Sequence, residues 1–68
     1  MKQVLLKDLK RGECFTLKPI EEPMESQVYI KDDYYRPEKK YICLKWSDVL
    51  GGGRTIAGNT KVYIDFYF

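Results

Sequence analysis

The sequence predicts an all-β fold, a small five-stranded antiparallel barrel or sandwich, and three observations carry that prediction. The first is TKVYIDFYF at residues 60–68, where Val62, Ile64, Phe66 and Phe68 alternate with Tyr63, Asp65 and Tyr67. Period two over β-branched and aromatic residues marks a half-buried strand. The second is the recurrence of short apolar runs separated by turn residues, a spacing that suits small barrels and sandwiches. The third is the weakness of any helical pattern: Leu5, Leu6 and Leu9 could share a helical face, but Gly12 cuts that run short.

Taken in order, VLLKDLKRG reads as a short strand or extended lead-in, followed by a turn that ends at Gly12. A turn that needs positive φ is the usual reason for a glycine there. ECFTLK is the next strand. PIEEPMES at residues 19–26 holds two prolines and three glutamates. Each proline lacks an N–H, so this is a loop and not a central strand. QVYIK is strand, DDYYRPEK a polar connection in which Pro37 keeps Arg36 extended, and KKYICLKW strand again. SDVLGGGRT is a turn-rich connection containing the Gly51-Gly52-Gly53 run. The expected core is Val4, Leu6, Leu9, Phe15, Leu17, Val28, Ile30, Ile42, Leu44, Val62, Ile64 and Phe66. In KKYICLKW the two faces compete, since Tyr41 and Cys43 oppose Ile42, Leu44 and Trp46.

Size and charge narrow the function classes. With 68 residues, the chain reads as one domain, residues 1–68, with no room for a doubly wound α/β sheet and its cofactor crevice. A chain of this length buries only about 60% of its unfolded surface. Yet 44% of its residues are hydrophobic and ten are aromatic, too many for a disordered segment. The net charge of +2 demands no nucleic-acid partner, although residues 1–18 carry five bases against two acids. Met1 to Leu6 is too short for the apolar part of a leader, and no run approaches the ~18 apolar residues of a membrane span. The expectation is a cytoplasmic protein with reduced thiols. Cys14 and Cys43 read as small core residues, and a pair of cysteines without histidine makes a poor zinc site.

GRTIAGNT at residues 53–60 tests this reading. Gly53, Gly58 and Thr60 fall on the positions of a phosphate-binding G-x-x-x-x-G-K-[ST] loop, but Asn59 stands where the lysine belongs. Such a loop opens a helix whose N-terminal amides meet the phosphates, whereas this segment opens a strand. The glycines serve turns instead: Ala57-Gly58-Asn59-Thr60 reads as a tight turn in which Gly58 or Asn59 takes positive φ cheaply. Asp65 is then an outward strand residue and not a magnesium ligand. The chain has no histidine, so no Cys-His or Ser-His pair exists. The acidic pairs Glu21-Glu22 and Asp32-Asp33 lie in polar connections and not across a cleft. No enzyme, cofactor or metal is expected.

The candidate binding residues are aromatic and basic. DDYYRPEKK places Tyr34, Tyr35, Arg36, Lys39 and Lys40 together, and tyrosine and arginine dominate interface energetics. Aromatics interleaved with bases also suit stacking on single-stranded nucleic acid. Against this, Tyr34 or Tyr35 could fold back as a lid on an open barrel end. Trp46, Tyr63 and Tyr67 extend the candidate partner surface, and the terminal FYF could pack against a second copy of the chain as a homodimer. LKDLKRGECFTL, VYI, KKYIC and TKVYIDF, in that order, resemble small SH3-like barrel proteins encoded by tailed phages and prophages. That resemblance implies a five-stranded SH3-like barrel without enzymatic activity. It also allows a phage or mobile-element accessory protein that binds and inhibits a host protein, including one of host defence. A glycine that such proteins carry soon after the VYI strand is replaced here by Lys31-Asp32-Asp33, which leaves the 31–40 connection the least predictable. The alternative partner is single-stranded DNA or RNA.

Overall fold

The computed structural model describes every residue except Val49, Gly52 and Phe68. Phe68, expected to continue the last strand's apolar stripe, and Gly52, the middle of the glycine run, therefore lie outside the described residues. The fold is all-β. Six strands form one antiparallel sheet: β1 (Lys2–Leu5), β2 (Cys14–Thr16), β3 (Val28–Tyr35), β4 (Lys40–Lys45), β5 (Arg54–Ile56) and β6 (Lys61–Ile64), in the spatial order β1-β6-β2-β3-β4-β5. The expected count of five becomes six because Arg54–Ile56, read as connection, pairs with β4. Among the described residues the helical elements are two three-residue 3-10 turns, Leu6–Asp8 and Glu25–Gln27.

Chain connectivity curls this sheet. Four strand spacings separate β5 from β6 in the spatial order, about 19 Å if the sheet were flat. Yet Ala57–Thr60 joins them by a tight turn, with the Thr60 N–H donating to the Ala57 carbonyl at 3.1 Å, and such a turn spans less than about 7 Å. The β5 end must therefore swing round toward β6. The 3-10 turn after β1 fills the seam: the Leu6 and Lys7 N–H groups donate to the Thr60 and Gly58 carbonyls at 3.0 and 2.9 Å. β1 and β5 remain the two edges of the sheet.

Residues directly opposed in antiparallel strands share a face, which assigns the core. Phe15 opposes Tyr29, Lys31 opposes Cys43, Tyr41 opposes Ile56, and Val4 opposes Val62. This concave face, with Leu6 and Leu9 from the segment after β1, is the main cluster, and Val4, Leu17, Tyr41 and Ile64 pack around it. Phe15 is fully buried and stacks on Tyr29 with ring centroids 5.9 Å apart. The expected core is corrected here. Cys14, Ile30 and Leu44 oppose one another on the convex face, where all three are only half-buried, as is Ile42. Val28 is fully buried but on that same convex face, opposite Thr16. Alternation identifies the two faces of a strand but not which one closes inward; here the pairing with Phe15 decides, and the apolar stems of Tyr29 and Lys31 serve as core.

Two further expectations change. The 31–40 connection is mostly strand: β3 runs to Tyr35, and only residues 36–39 turn. β6 ends at Ile64, and Asp65 takes φ 60°, so the alternation stops before Phe66. Gly12 does hold positive φ, 93°. Its N–H donates to the Lys31 carbonyl at 2.8 Å and the Lys31 N–H donates to the Glu13 carbonyl at 3.0 Å, extending the β2–β3 pairing. Residues 19–26 form the expected loop, capped by the second 3-10 turn and tied to the chain end by the Tyr67 N–H, which donates to the Glu21 carbonyl at 2.7 Å.

Candidate functional site

A one-residue irregularity in β3 builds the site. Lys31 opposes Cys43, but the next matched pair is Tyr34 with Tyr41, so three steps on β3 meet two on β4. The extra residue is a β-bulge at Asp32-Asp33. A bulge re-aims the side chains beyond it, and without it Tyr34 would point to the convex face. Both bulge carboxylates turn to Arg11, whose Nε lies 3.1 Å from Asp32 Oδ1 and whose guanidinium lies 3.2 Å from Asp33 Oδ1.

Beyond the bulge, Tyr34 sits edge-on to Tyr41 with centroids 5.0 Å apart and planes at 67°. Lys31 comes to Tyr41 from beneath. Its side chain is 5% exposed, and Nζ lies 4.2 Å from the Tyr41 ring centroid. The same ammonium donates to the Leu9 carbonyl and lies 3.5 Å from the Lys7 carbonyl. Gly58 closes the third side: a Cβ there would lie 2.9 Å from Tyr41 Cε2 and 3.2 Å from Lys7 Cβ. This close approach, and not a positive φ, is why glycine stands at 58. Neither Gly58 nor Asn59 takes positive φ, so that expectation is corrected. Gly58→Ala is expected to cost about 1 kcal/mol by overpacking a pinned ring. The check is the urea midpoint, and an unchanged midpoint would show that the Tyr41 edge yields freely.

These groups enclose a concavity of about 400 Å³ lined by Lys7, Tyr34, Lys39, Tyr41, Gly58 and Asn59, with Ala57 at its margin. Lys39 reaches it from the β3–β4 turn, where it holds φ 53° and its N–H donates to the Arg36 carbonyl at 3.1 Å. Across Ala57 lies a second concavity of about 360 Å³, lined among others by Leu17, Lys40, Arg54, Thr55 and Thr60. At its edge the Thr55 hydroxyl donates to Glu38 Oε1 at 2.8 Å.

The sequence-derived candidates divide into two groups. Tyr34 and Lys39 join the first concavity and Lys40 the second. Tyr35 opposes Lys40 and is 40% exposed, and Arg36 lies in the turn. Tyr34 rests on Tyr41 as a partial lid yet stays 48% exposed. Trp46, Tyr63 and Tyr67 belong to the opposite end. The Trp46 N–H donates to the Val28 carbonyl at 2.9 Å, Val28 opposes Thr16, and Thr16 opposes Tyr63. Val28 and Tyr35 are the two ends of β3, about 23 Å apart at strand rise. A single contact patch over all eight candidates is therefore not what the fold presents. Lys7, Lys31, Tyr41 and Asn59 were missed in the sequence. In KKYICLKW Tyr41 lies on one of two competing faces, and nothing local signals the bulge at Asp32-Asp33.

The two cysteines are free and point to opposite faces, Cys14 with Ile30 and Cys43 with Lys31, so they cannot join. Burial pushes the Cys43 thiol up to about 11; the positive charges of Lys31 and Arg54 work against that rise and Asp32 adds to it. Burial also raises the Cys14 thiol above its ordinary value. Among the described residues no helix is long and apolar enough to cross a membrane, and no three His, Cys, Asp or Glu side chains gather as a metal set. Set against protein-family models, curated proteins and solved structures, the chain matches none of them.

Proposed function

We propose that this chain is a non-catalytic binding module that docks a protein partner at the seam between the β3–β4 hairpin and the 57–60 turn. The observation that carries this reading is the pinned Tyr41, with half-exposed Tyr34 against it and Lys7 and Lys39 beside it. Rigid tyrosines bury large area at small conformational cost, which is what interface hot spots need. The resemblance to phage-encoded SH3-like barrels supports the finer parts of the reading. These are a partly open barrel of that type, a bacterial host protein as the partner, and an accessory role in the host cytoplasm that modulates or inhibits it.

The test is capture of a partner from bacterial lysate on the immobilised protein, with and without nuclease, read by mass spectrometry. A defined protein that survives nuclease is expected. Tyr34→Ala should then weaken its binding by about 2 kcal/mol, roughly 30-fold, with the fold intact. Unchanged affinity would remove Tyr34 from the interface. The second reading, single-stranded nucleic acid, draws on Lys7, Lys39, Lys40 and Arg54 along one seam. It predicts capture that vanishes with nuclease and affinity that falls steeply between 50 and 200 mM salt. A homodimer through the open β1 or β5 edge is compatible with either reading.

A further inference from the structure

We infer that the Lys7–Tyr34–Lys39–Tyr41–Asn59 concavity is a carboxylate-recognition pocket that receives an acidic side chain from a peptide segment of the partner. The inference rests on the binding-module reading and names the chemistry of that site.

Charge is the first ground. Two lysines and no carboxylate line the concavity. A third ammonium, Lys31, lies buried behind the Tyr41 ring, where it meets the Leu9 and Lys7 carbonyl oxygens and the ring itself. Among the described residues no carboxylate is bonded to it, and a buried charge is screened by salt far less than an exposed one. Asp32 and Asp33 hold Arg11, and Glu38 accepts from Thr55 in the neighbouring concavity. The pocket thus presents two ammonium groups with no carboxylate among its lining residues, and its polar groups include N–H and O–H donors suited to an anion.

Backbone strain is the second ground, independent of charge. Lys39 occupies the left-handed region at φ 53°. Glycine or asparagine takes that region cheaply and lysine does not. An observed outlier of this kind points toward a function for the side chain, and the side chain placed there is one of the two lining lysines. Shape is the third ground. A space of about 400 Å³ accepts one or two side chains. A phosphodiester strand continuing past Ala57 would run toward the Glu38 carboxylate beside Thr55. The tyrosines also face each other edge-on, so they offer no pair of open plates for successive bases. The geometry therefore favours a discrete carboxylate over a nucleic-acid backbone.

The experiment is an amide chemical-shift titration of the full chain with capped hexaglutamate, with a twelve-residue oligothymidylate and inorganic phosphate as separate arms. The expected result is saturable shifts at Lys7, Lys39, Tyr41, Gly58 and Asn59 with hexaglutamate, weaker with the other two probes. Lys39→Gly is expected to weaken hexaglutamate binding at least fivefold while raising the urea midpoint, because it removes both the charge and the strain. No saturable shift at the pocket, equal or tighter binding of oligothymidylate or phosphate, or Lys39→Gly binding as wild type would each overturn the assignment. A protein partner captured from lysate whose affinity is indifferent to Lys39→Gly would overturn the pocket and leave the binding-module reading standing.

Discussion

Lys31→Ala is expected to lower stability by about 4 kcal/mol, and Lys31→Met by about 2, measured by urea denaturation followed by far-ultraviolet circular dichroism. A folded chain of this size has only about 3 to 10 kcal/mol in total, so the alanine variant should be partly unfolded in buffer. Opposing effects set the size. Burying an ammonium is costly, and replacing a buried charged group with an apolar one of similar volume is often neutral. That argument applies when both partners go. Here the partners are the Leu9 and Lys7 carbonyls of the turn that fills the seam, and they stay behind. A buried acceptor left without its donor costs about 1–3 kcal/mol, and loss of the ammonium over Tyr41 adds about 1. Methionine keeps the apolar stem, so the difference between the two variants isolates the cavity under Tyr41. If Lys31→Met proves as stable as the natural chain, the ammonium adds no net stability, and its burial is a feature the fold tolerates for another reason.

The same residue shows what could be read from the chain and what could not. Strand positions and the loop at 19–26 were legible because prolines, glycines and β-branched runs act locally. Which face of β3 turns inward was not. Val28 and Ile30 look like the core stripe and Tyr29 and Lys31 like the exposed one, yet Tyr29 stacks on Phe15 and Lys31 is nearly inaccessible. That choice depends on partners far away in sequence, at residues 9, 15 and 41. The site has the same character. Tyr34 and Lys39 could be singled out by type, since aromatic and basic residues clustered in a polar stretch stand out. Their joining to Lys7 and Asn59 required the bulge at Asp32-Asp33 and the curl that the 57–60 turn imposes. That Trp46, Tyr63 and Tyr67 lie at the other end from Tyr34 and Lys39 was hidden for the same reason: an eight-residue strand separates the two ends, and residue type carries no information on that distance.

Stability should also fall at alkaline pH, by up to about 2 kcal/mol between pH 9 and 11, through Cys43 alone. Its thiol is pushed up by burial from 9.0 to about 11. Between those values the unfolded chain releases the proton while the folded chain keeps it, so the unfolded state is favoured as pH rises. The contribution is fully present below pH 9 and is lost as pH climbs toward 11; each pH unit of separation is worth about 1.4 kcal/mol. The natural chain alone does not isolate the thiol. Cys43→Ala does. Its stability should be lower at pH 8 because a fully buried side chain is trimmed, but its decline from pH 9 to 11 should be shallower by the thiol's share. Parallel curves for the two proteins would show that the thiol ionises no less readily in the fold than in the unfolded chain. Thiol alkylation gives a second readout on the same residue. At pH 8 the more accessible Cys14 on the convex face should react first, and Cys43, beneath the sheet and opposite Lys31, only as the chain opens.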